Sequence, residues 1–274
     1  MTHDHFQPRE LDTRKPSAAR VYHYMITGEV VFGSDLPFIE RLYAEIPFYP
    51  VWARHNRAFL TRAVQYMVEA GVRQFLDIGS GLPTGGNTHE VARRAAPEAR
   101  VVYVDNDEEA ITRAHDLLTQ QALLDSTAMV AGDLRDPVGI LEHPDTVRLL
   151  DYSEPVGVLL VSVLPWLPDA DRPVELVSQL RDALTPGSHI AMTHVSLEDA
   201  DAKTKRQVAS AAGLFVDALD PVTLRTRKQF EDFFHGWSLV APGITYATDW
   251  RPNRPVDSDD PARLCNFAAL GHLQ

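Results

Sequence analysis

The sequence predicts an α/β protein in which a doubly wound, mostly parallel sheet follows an N-terminal helical cap, and three observations carry that reading. From Val72 to about Thr193, short apolar runs alternate with stretches of helical period, the pattern of βαβ units. Acidic residues stand at or just beyond the ends of the first three runs, at Asp77, Asp105 and Asp133, where such a sheet places its ligands. Before Val72 the apolar residues recur only at helix spacing.

Residues 1–15, MTHDHFQPRELDTRK, are polar and aperiodic and are expected as a mobile tail. His3, Asp4 and His5 have metal-binding chemistry, but no later cluster of His and Cys has ligand spacing, so no metal is expected. Ser17 reads as an N-cap for a helix in which Val21, Tyr24 and Met25 share a face, with Gly28 and Gly33 interrupting it. A second helix covers Leu36–Glu45. Pro47 and Pro50 are expected to break the chain, and Ala53–Ala70 reads as a longer amphipathic helix closed by Gly71. These elements make residues 16–71 the cap.

Strands are expected at Gln74–Ile78, Val101–Val104, Thr127–Ala131, Val156–Val161 and His189–Thr193. Between them lie helices at Thr88–Ala95, Glu108–Leu118 and Pro173–Leu184, the last stopped by Pro186 and Gly187. Asp199–Leu214 and Thr226–Phe234 read as helices of an insertion at 198–235 near the cleft. Leu239–Trp250 and Leu264–Leu273 are expected to pair antiparallel at one edge, which gives a seven-stranded Rossmann-like sheet in a domain spanning 72–274.

Composition excludes several functions. With 26 basic and 38 acidic residues the net charge is −12, and no basic patch interrupts it, so nucleic acid and anionic membranes are not expected partners. The longest apolar run, Val156–Leu164, is too short to span a bilayer. No lysine lies between Pro16 and Ala202. The central region therefore lacks a P-loop lysine, a Schiff-base lysine and a lysine-assisted tyrosine. A single cysteine, Cys265, and no basic-then-apolar segment at Met1–Glu10 give the expectation of a reducing cytoplasm.

The loop after the first strand is the most informative stretch. In Asp77-Ile78-Gly79-Ser80-Gly81 two glycines allow a tight turn and close backbone approach to a ligand, while Asn87 and Glu90 can cap the next helix. Pro83 and Thr84 stand where a dinucleotide fingerprint needs its third glycine, and proline offers no N–H to a phosphate. Asp77 would repel a pyrophosphate but can face an ammonium or a sulfonium. The charge pattern thus favours a cationic nucleoside. Asp105, with Asn106, is placed to bind ribose hydroxyls, and Gly132-Asp133-Leu134 to meet an adenine through the carboxylate and an apolar contact. Ser162, beyond the fourth strand, is assigned to the same cofactor site.

In this order and spacing, DIGSG, VDND and AGDL resemble class I S-adenosylmethionine-dependent methyltransferases over about Gln74–Thr193. The resemblance extends, through ARVYHY, HNRAFLTRAV, RQFLDIGSGLPTGGNTHEVA, ARVVYVDND and PGITYATDWRP, to an S-adenosyl methyltransferase-like family long catalogued as a domain of unknown function. It implies S-adenosylmethionine as cofactor, S-adenosylhomocysteine as product and a helical cap over the cleft. In that cap Tyr22, Phe32, Asn56 and Arg57 are candidates to contact cofactor or substrate. The chain departs from the family at Thr27–Phe32, where a Gly-Gly-Lys-Asp-Asn-type run is usual, and at Leu164-Pro165-Trp166, where a histidine often precedes an aromatic residue.

His194, after the fifth strand, is the remaining candidate for a general base, with Trp166 on the substrate side. The expected function is methyl transfer to a small-molecule acceptor. A non-catalytic protein binding S-adenosylmethionine or S-adenosylhomocysteine, and an NAD-dependent oxidoreductase, are the alternatives.

Overall fold

The computed structural model describes residues 12–274, so His3, Asp4, His5 and most of the expected tail lie outside the described residues. The elements run α1 (Ala18–Thr27), α2 (Leu36–Glu45), α3 (Tyr49–Glu69), β1 (Gln74–Ile78), α4 (Thr88–Arg93), β2 (Arg100–Asp105), α5 (Glu108–Gln120) and β3 (Thr127–Ala131). They continue with α6 (Pro137–Glu142), α7 (Pro144–Leu149), β4 (Val156–Leu160), α8 (Pro173–Asp182), β5 (His189–Val195), α9 (Ala202–Ala218) and α10 (Arg227–Asp232). Three strands close the chain: β6 (Ser238–Leu239), β7 (Thr245–Tyr246) and β8 (Asn266–His272).

The sheet order is β3-β2-β1-β4-β5-β8-β6, with β7 also on β8. The first five strands are parallel and β8 runs antiparallel to β5 from His189↔His272 to Val195↔Asn266. The chain moves outward from β1 to β3 and then returns to β4 on the other side of β1. The crevice outside the carboxyl ends of β1 and β4 is therefore the position where such a sheet accommodates a ligand.

Alternation of side chains along each strand feeds two cores. Leu76, Val102, Val158 and Ile190 belong to one face, and Phe75, Val101, Leu159 and Ala191 to the other. A third cluster joins Val21, Met25, Phe38, Leu42, Trp52 and Phe215, so α1, α2, the start of α3 and α9 pack on one another beside the sheet. Helix α3 serves two cores. Its first turn contributes Trp52 and Ala53 to the third cluster, and Phe59 to Val68 pack on the sheet.

The sheet has eight strands rather than seven. The expected strand Leu239–Trp250 is divided into β6 and β7, because Pro242 has no N–H for the ladder and Gly243 turns the chain at φ +83°. Helix α3 begins at Tyr49 rather than Ala53, since Pro50 falls in its first turn, where the missing N–H leaves no partner unsatisfied. The two short helices α6 and α7, each opening on a proline, have no counterpart in the sequence reading.

One packing constraint is sharp enough to test. A Cβ at Gly157 on β4 would lie 2.8 Å from Met67 Sδ and 2.8 Å from Phe75 Cδ1. Gly157→Ala should therefore lower stability by about 1–3 kcal/mol through overpacking, measured as a urea midpoint shift at unchanged slope; an unchanged midpoint would show that α3 shifts freely over the sheet.

Candidate functional site

A cleft of about 460 Å³ lies at the carboxyl ends of β1 to β4, within the range of roughly 300–1,000 Å³ usual for small-molecule sites. Its floor is the loops after those strands. Its roof is the segment from Asp12 to Tyr22 together with Tyr49, Asn56, Arg57 and Leu60 of α3, and Leu219 and Asp220 complete the wall.

Gly79, at φ +71°, donates its N–H to Val104 O at 2.8 Å, and a Cβ there would meet Val163 Cγ2 at 2.7 Å. Only glycine lets the turn pass between β2 and the loop after β4. Gly81, at φ +67°, is different, for nothing lies within 4 Å of where its Cβ would be. Its missing side chain opens the cleft.

Asp105 holds this turn. Its Oδ2 accepts from Gly81 N at 2.7 Å, and its Oδ1 from Asn106 N at 2.8 Å and Asp107 N at 2.9 Å. Burial pushes the carboxyl up to about 6, while the backbone donors pull it down. A carboxylate offers about four lone-pair positions, so three amide bonds leave an acceptor position free.

Asp77 accepts from Thr88 Oγ1 at 2.7 Å. Burial raises it from 3.8 to about 6 against the pull of that hydrogen bond and of the Arg57 charge. Arg57 itself donates to Gly86 O at 3.1 Å. Gly86 N and Asn87 Nδ2 both donate to Glu90, which fixes the far side of the glycine loop.

Asn106 Nδ2 donates to Asp133 Oδ2 at 2.7 Å, which links the ends of β2 and β3. A Cβ at Gly132 would lie 2.9 Å from Val104 Cγ1, so the turn closes only without one. Leu134 is buried on the lining. Ser162 also lines the cleft, in the left-handed region at φ +68°, with its N–H donated to Thr193 Oγ1 at 2.9 Å. The structure thus brings Asp77, Gly79, Ser80, Gly81, Asp105, Asn106, Gly132, Asp133, Leu134 and Ser162 onto one surface.

Tyr22, Arg57 and Trp166 face the same cleft. The Tyr22 hydroxyl donates to Ala53 O at 3.3 Å and accepts from Asn56 Nδ2 at 2.8 Å, while Asn56 Oδ1 accepts from Asn266 Nδ2 at 2.9 Å. Trp166 packs edge-on against Phe215 with ring centroids 5.8 Å apart.

Two expected residues are not on the lining. Phe32 packs under the Arg20 guanidinium, 5.0 Å from its ring centre, where the buried Arg20–Asp35 pair (2.9 Å) draws the chain after α1 inward. His194 is fully buried. Its Nδ1 bonds Val195 O at 2.8 Å and its Nε2 faces Arg225 Nη1 at 2.9 Å, which requires a neutral ring with the proton on Nδ1. Burial and the Arg225 charge lower its pKa to about 4, against the pull of the Val195 carbonyl and Asp169. His194, expected as a general base, is thus enclosed behind the loop after β4 and lies off the described lining of the cleft.

Sequence reasoning missed Tyr49, Arg135 and Glu108, all on the lining. Arg135 directly follows the AGDL stretch and bonds Asp133 (3.1 Å), Asp171 (2.7 Å) and Trp166 O (3.2 Å), so its position was available as a signal. Tyr49 sits before Pro50 in a stretch that reads as a break. In all, seven acidic and four basic side chains border the cleft.

Parallel strands in this order, with a glycine turn at the switch point and carboxylates after three strands, define a doubly wound α/β protein with its cleft at the switch point. The family model described as S-adenosyl methyltransferase matches residues 4–274, and the chain belongs to that family. A protein from Thermobifida fusca YX, named as a candidate methyltransferase, is 38% identical over 96% of this chain and 97% of its own, with a TM-score of 0.87. A DUF574 family protein from Streptomyces avermitilis MA-4680 is 35% identical over 96% of this chain and 99% of its own, with a TM-score of 0.89. Mitomycin 7-O-methyltransferase, at 18% identity and a TM-score of 0.50 over 92% of this chain and 67% of its own, shares the fold alone. No curated protein matches. Among the described residues no helix is long and apolar enough to cross a membrane.

The fit to S-adenosylmethionine rests on the chain's own groups. The open space at Gly81, the free acceptor position on Asp105 and the acid excess all suit a cationic nucleoside.

The raised carboxyl of Asp77 has a consequence for stability. Folded Asp77 holds its proton up to about pH 6 and the unfolded chain only to about 3.8, so the cost of burying the charge grows across that window and is complete above it. Asp77→Asn, which retains a partner for Thr88, should be more stable than the parent by about 1–3 kcal/mol at pH 8 and equal to it near pH 4. Thermal melts at both pH values read this, and an equal effect at the two would refute it.

Proposed function

We propose that this protein transfers the methyl group of S-adenosylmethionine to a small-molecule acceptor. The observation that carries the reading is the conjunction of Asp77, Asp105 and Asp133 around the Gly79–Gly81 turn in one cleft. The cofactor, when bound, supplies an electrophilic methyl group on a sulfonium.

In this reading Asp105 accepts from ribose hydroxyls through its free lone pair, and the Asp133–Leu134 turn meets the adenine, with Asp133 itself held by Asn106 and Arg135. Asp77 faces the ammonium of the methionine end, with Arg57 next to it for the carboxylate. Serine at 162 and the backbone of the Gly79–Gly81 turn shape the space between these ends. Tyr22, Asn56 and Asn266 form a hydrogen-bonded line from α1 through α3 to β8, which holds the roof and excludes water from the reacting groups. Catalysis then consists of positioning and desolvation, with no covalent protein nucleophile.

Isothermal titration with S-adenosylmethionine, S-adenosylhomocysteine and NAD should show binding of the two sulfur nucleosides and not of NAD. Asp105→Ala should weaken both by about tenfold or more, the scale of a hydrogen bond to a charged group. Preferential binding of NAD would make the protein an oxidoreductase instead.

Because Asp77 and Asp105 lose their protons near pH 6, affinity for the cationic S-adenosylmethionine should rise between pH 5 and 7 and flatten above. Asp77→Asn should reduce that rise. A pH-independent affinity in the parent protein would remove Asp77 from the site.

A further inference from the structure

The chain ahead of α1 forms part of the roof, with Asp12, Lys15, Pro16 and Ser17 on the lining of the cleft. Residues 12–17 carry no helix or strand, so their place depends on the groups that hold their carbonyls. Arg20 Nη2 donates to Lys15 O, and Ser34 Oγ donates to Thr13 O. These two carbonyls stand on either side of the Arg14–Lys15 peptide bond.

Both donors belong to one latch. Arg20 Nε reaches Asp35 Oδ1 at 3.1 Å and Oδ2 at 2.9 Å, Nη2 reaches Oδ1 at 2.9 Å, and both side chains are buried. Asp35 Oδ2 also accepts from Phe32 N at 3.3 Å, and the Phe32 ring lies under the guanidinium. Ser34 directly precedes Asp35.

Burying two charges is expensive, and apolar residues of similar volume commonly give equal or greater stability. Apolar side chains cannot aim a donor at Lys15 O. A lysine would present a compact ammonium rather than a planar fork that meets carboxylate and carbonyl together. What the Arg20–Asp35 pair supplies to the roof is direction.

We propose that Arg20 is a positioning residue for the nucleoside cofactor: anchored on Asp35, it holds residues 12–17 as a strap across the roof, and bound cofactor leaves when that strap lifts. This rests on the cofactor reading and adds to it a residue that acts through the backbone of its neighbours. Lifting the strap breaks the bonds to Lys15 O and Thr13 O, while the Arg20–Asp35 pair stays buried and the turns of the floor keep their contacts. Loosening the latch therefore speeds departure of the cofactor without altering the surface on which it lands.

The test uses the full chain with S-adenosylhomocysteine as probe. Trypsin reaches the Arg14–Lys15 bond when the backbone there detaches from its carbonyl ties, a local opening. In the parent, saturating S-adenosylhomocysteine should slow cleavage after Arg14, followed by mass spectrometry, by about fivefold or more. The double variant Arg20→Met/Asp35→Leu should unfold cooperatively and lose that protection. Stopped-flow tryptophan fluorescence should show it releasing S-adenosylhomocysteine about fivefold or more faster than the parent, with an association rate within about twofold. A purely structural role would lower the melting temperature and leave the protection in place. Should the double variant not fold, Ser34→Ala, which keeps the pair, should raise release and cleavage by about twofold or more. An unchanged release rate in the variant that folds, or cleavage after Arg14 indifferent to the probe in the parent, would overturn the inference and leave the cofactor reading standing. Absence of S-adenosylhomocysteine binding by the parent would overturn the cofactor reading and this inference with it.

Discussion

The cleft depends on the carboxylate of Asp105. Three backbone amides converge on it, one from the turn after β1 and two from the turn after β2, so a single side chain ties the two loops together. Around it the glycines at 79 and 132 let the loops after β1 and β3 close against Val163 and Val104. The strand order puts β1 between β2 and β4 and β2 between β1 and β3, and the contacts that define the floor follow from those adjacencies. Removing the carboxylate would leave three amides to find water, at a cost of about 1–3 kcal/mol for each one left unsatisfied.

That arrangement is costly for the folded chain. Two carboxyls raised to about 6 by burial mean that the charged forms are held in surroundings that oppose them, and only a cation or hydrogen-bond donors can repay this. The strained residue Ser162 lies in the same ring of loops. Stability is therefore surrendered at the floor and recovered in the apolar cores on either face of the sheet, where β1 and β4 are buried throughout. The separation is physically sensible, because the floor must present backbone and charge to a ligand while the cores need only exclude water.

The floor was legible in the sequence, and the reason is local. Each strand of the parallel set is a short apolar run, and the residues that line the cleft stand at its end or the next few along, so Asp77, Gly79, Gly81, Asp105 and Asp133 can be read without knowing the fold in three dimensions. The roof was not legible in the same way. Tyr49 and Arg57 reach the cleft because α3 extends from the third cluster across the sheet, and the line from Asn56 to Asn266 spans 210 residues. His194 is the reverse case, expected at the cleft and placed off its lining. A polar residue at the end of a strand reads as a site residue, but Arg225, thirty-one positions on, takes its Nε2 and also Leu164 O and Leu167 O, which makes it part of the support beneath the loop after β4.

The two parts of the cleft are joined by few groups, and this bears on how the site works. Arg135 connects Asp133 at the end of β3 to Trp166 O and Asp171 after β4, and Arg225 secures the same loop from behind through Leu164 O, Leu167 O and Asp169. The floor is built from backbone turns that tolerate little change, since glycine is required by contacts under 3 Å at two of them. The roof is built from side chains on helices, whose size can vary without moving a turn. Side chains of α1, α3 and the loop after β4 can therefore change while the charge geometry of the floor stays fixed, and of the segments Thr27–Phe32 and Leu164–Trp166 it is Trp166 that reaches that adjustable part.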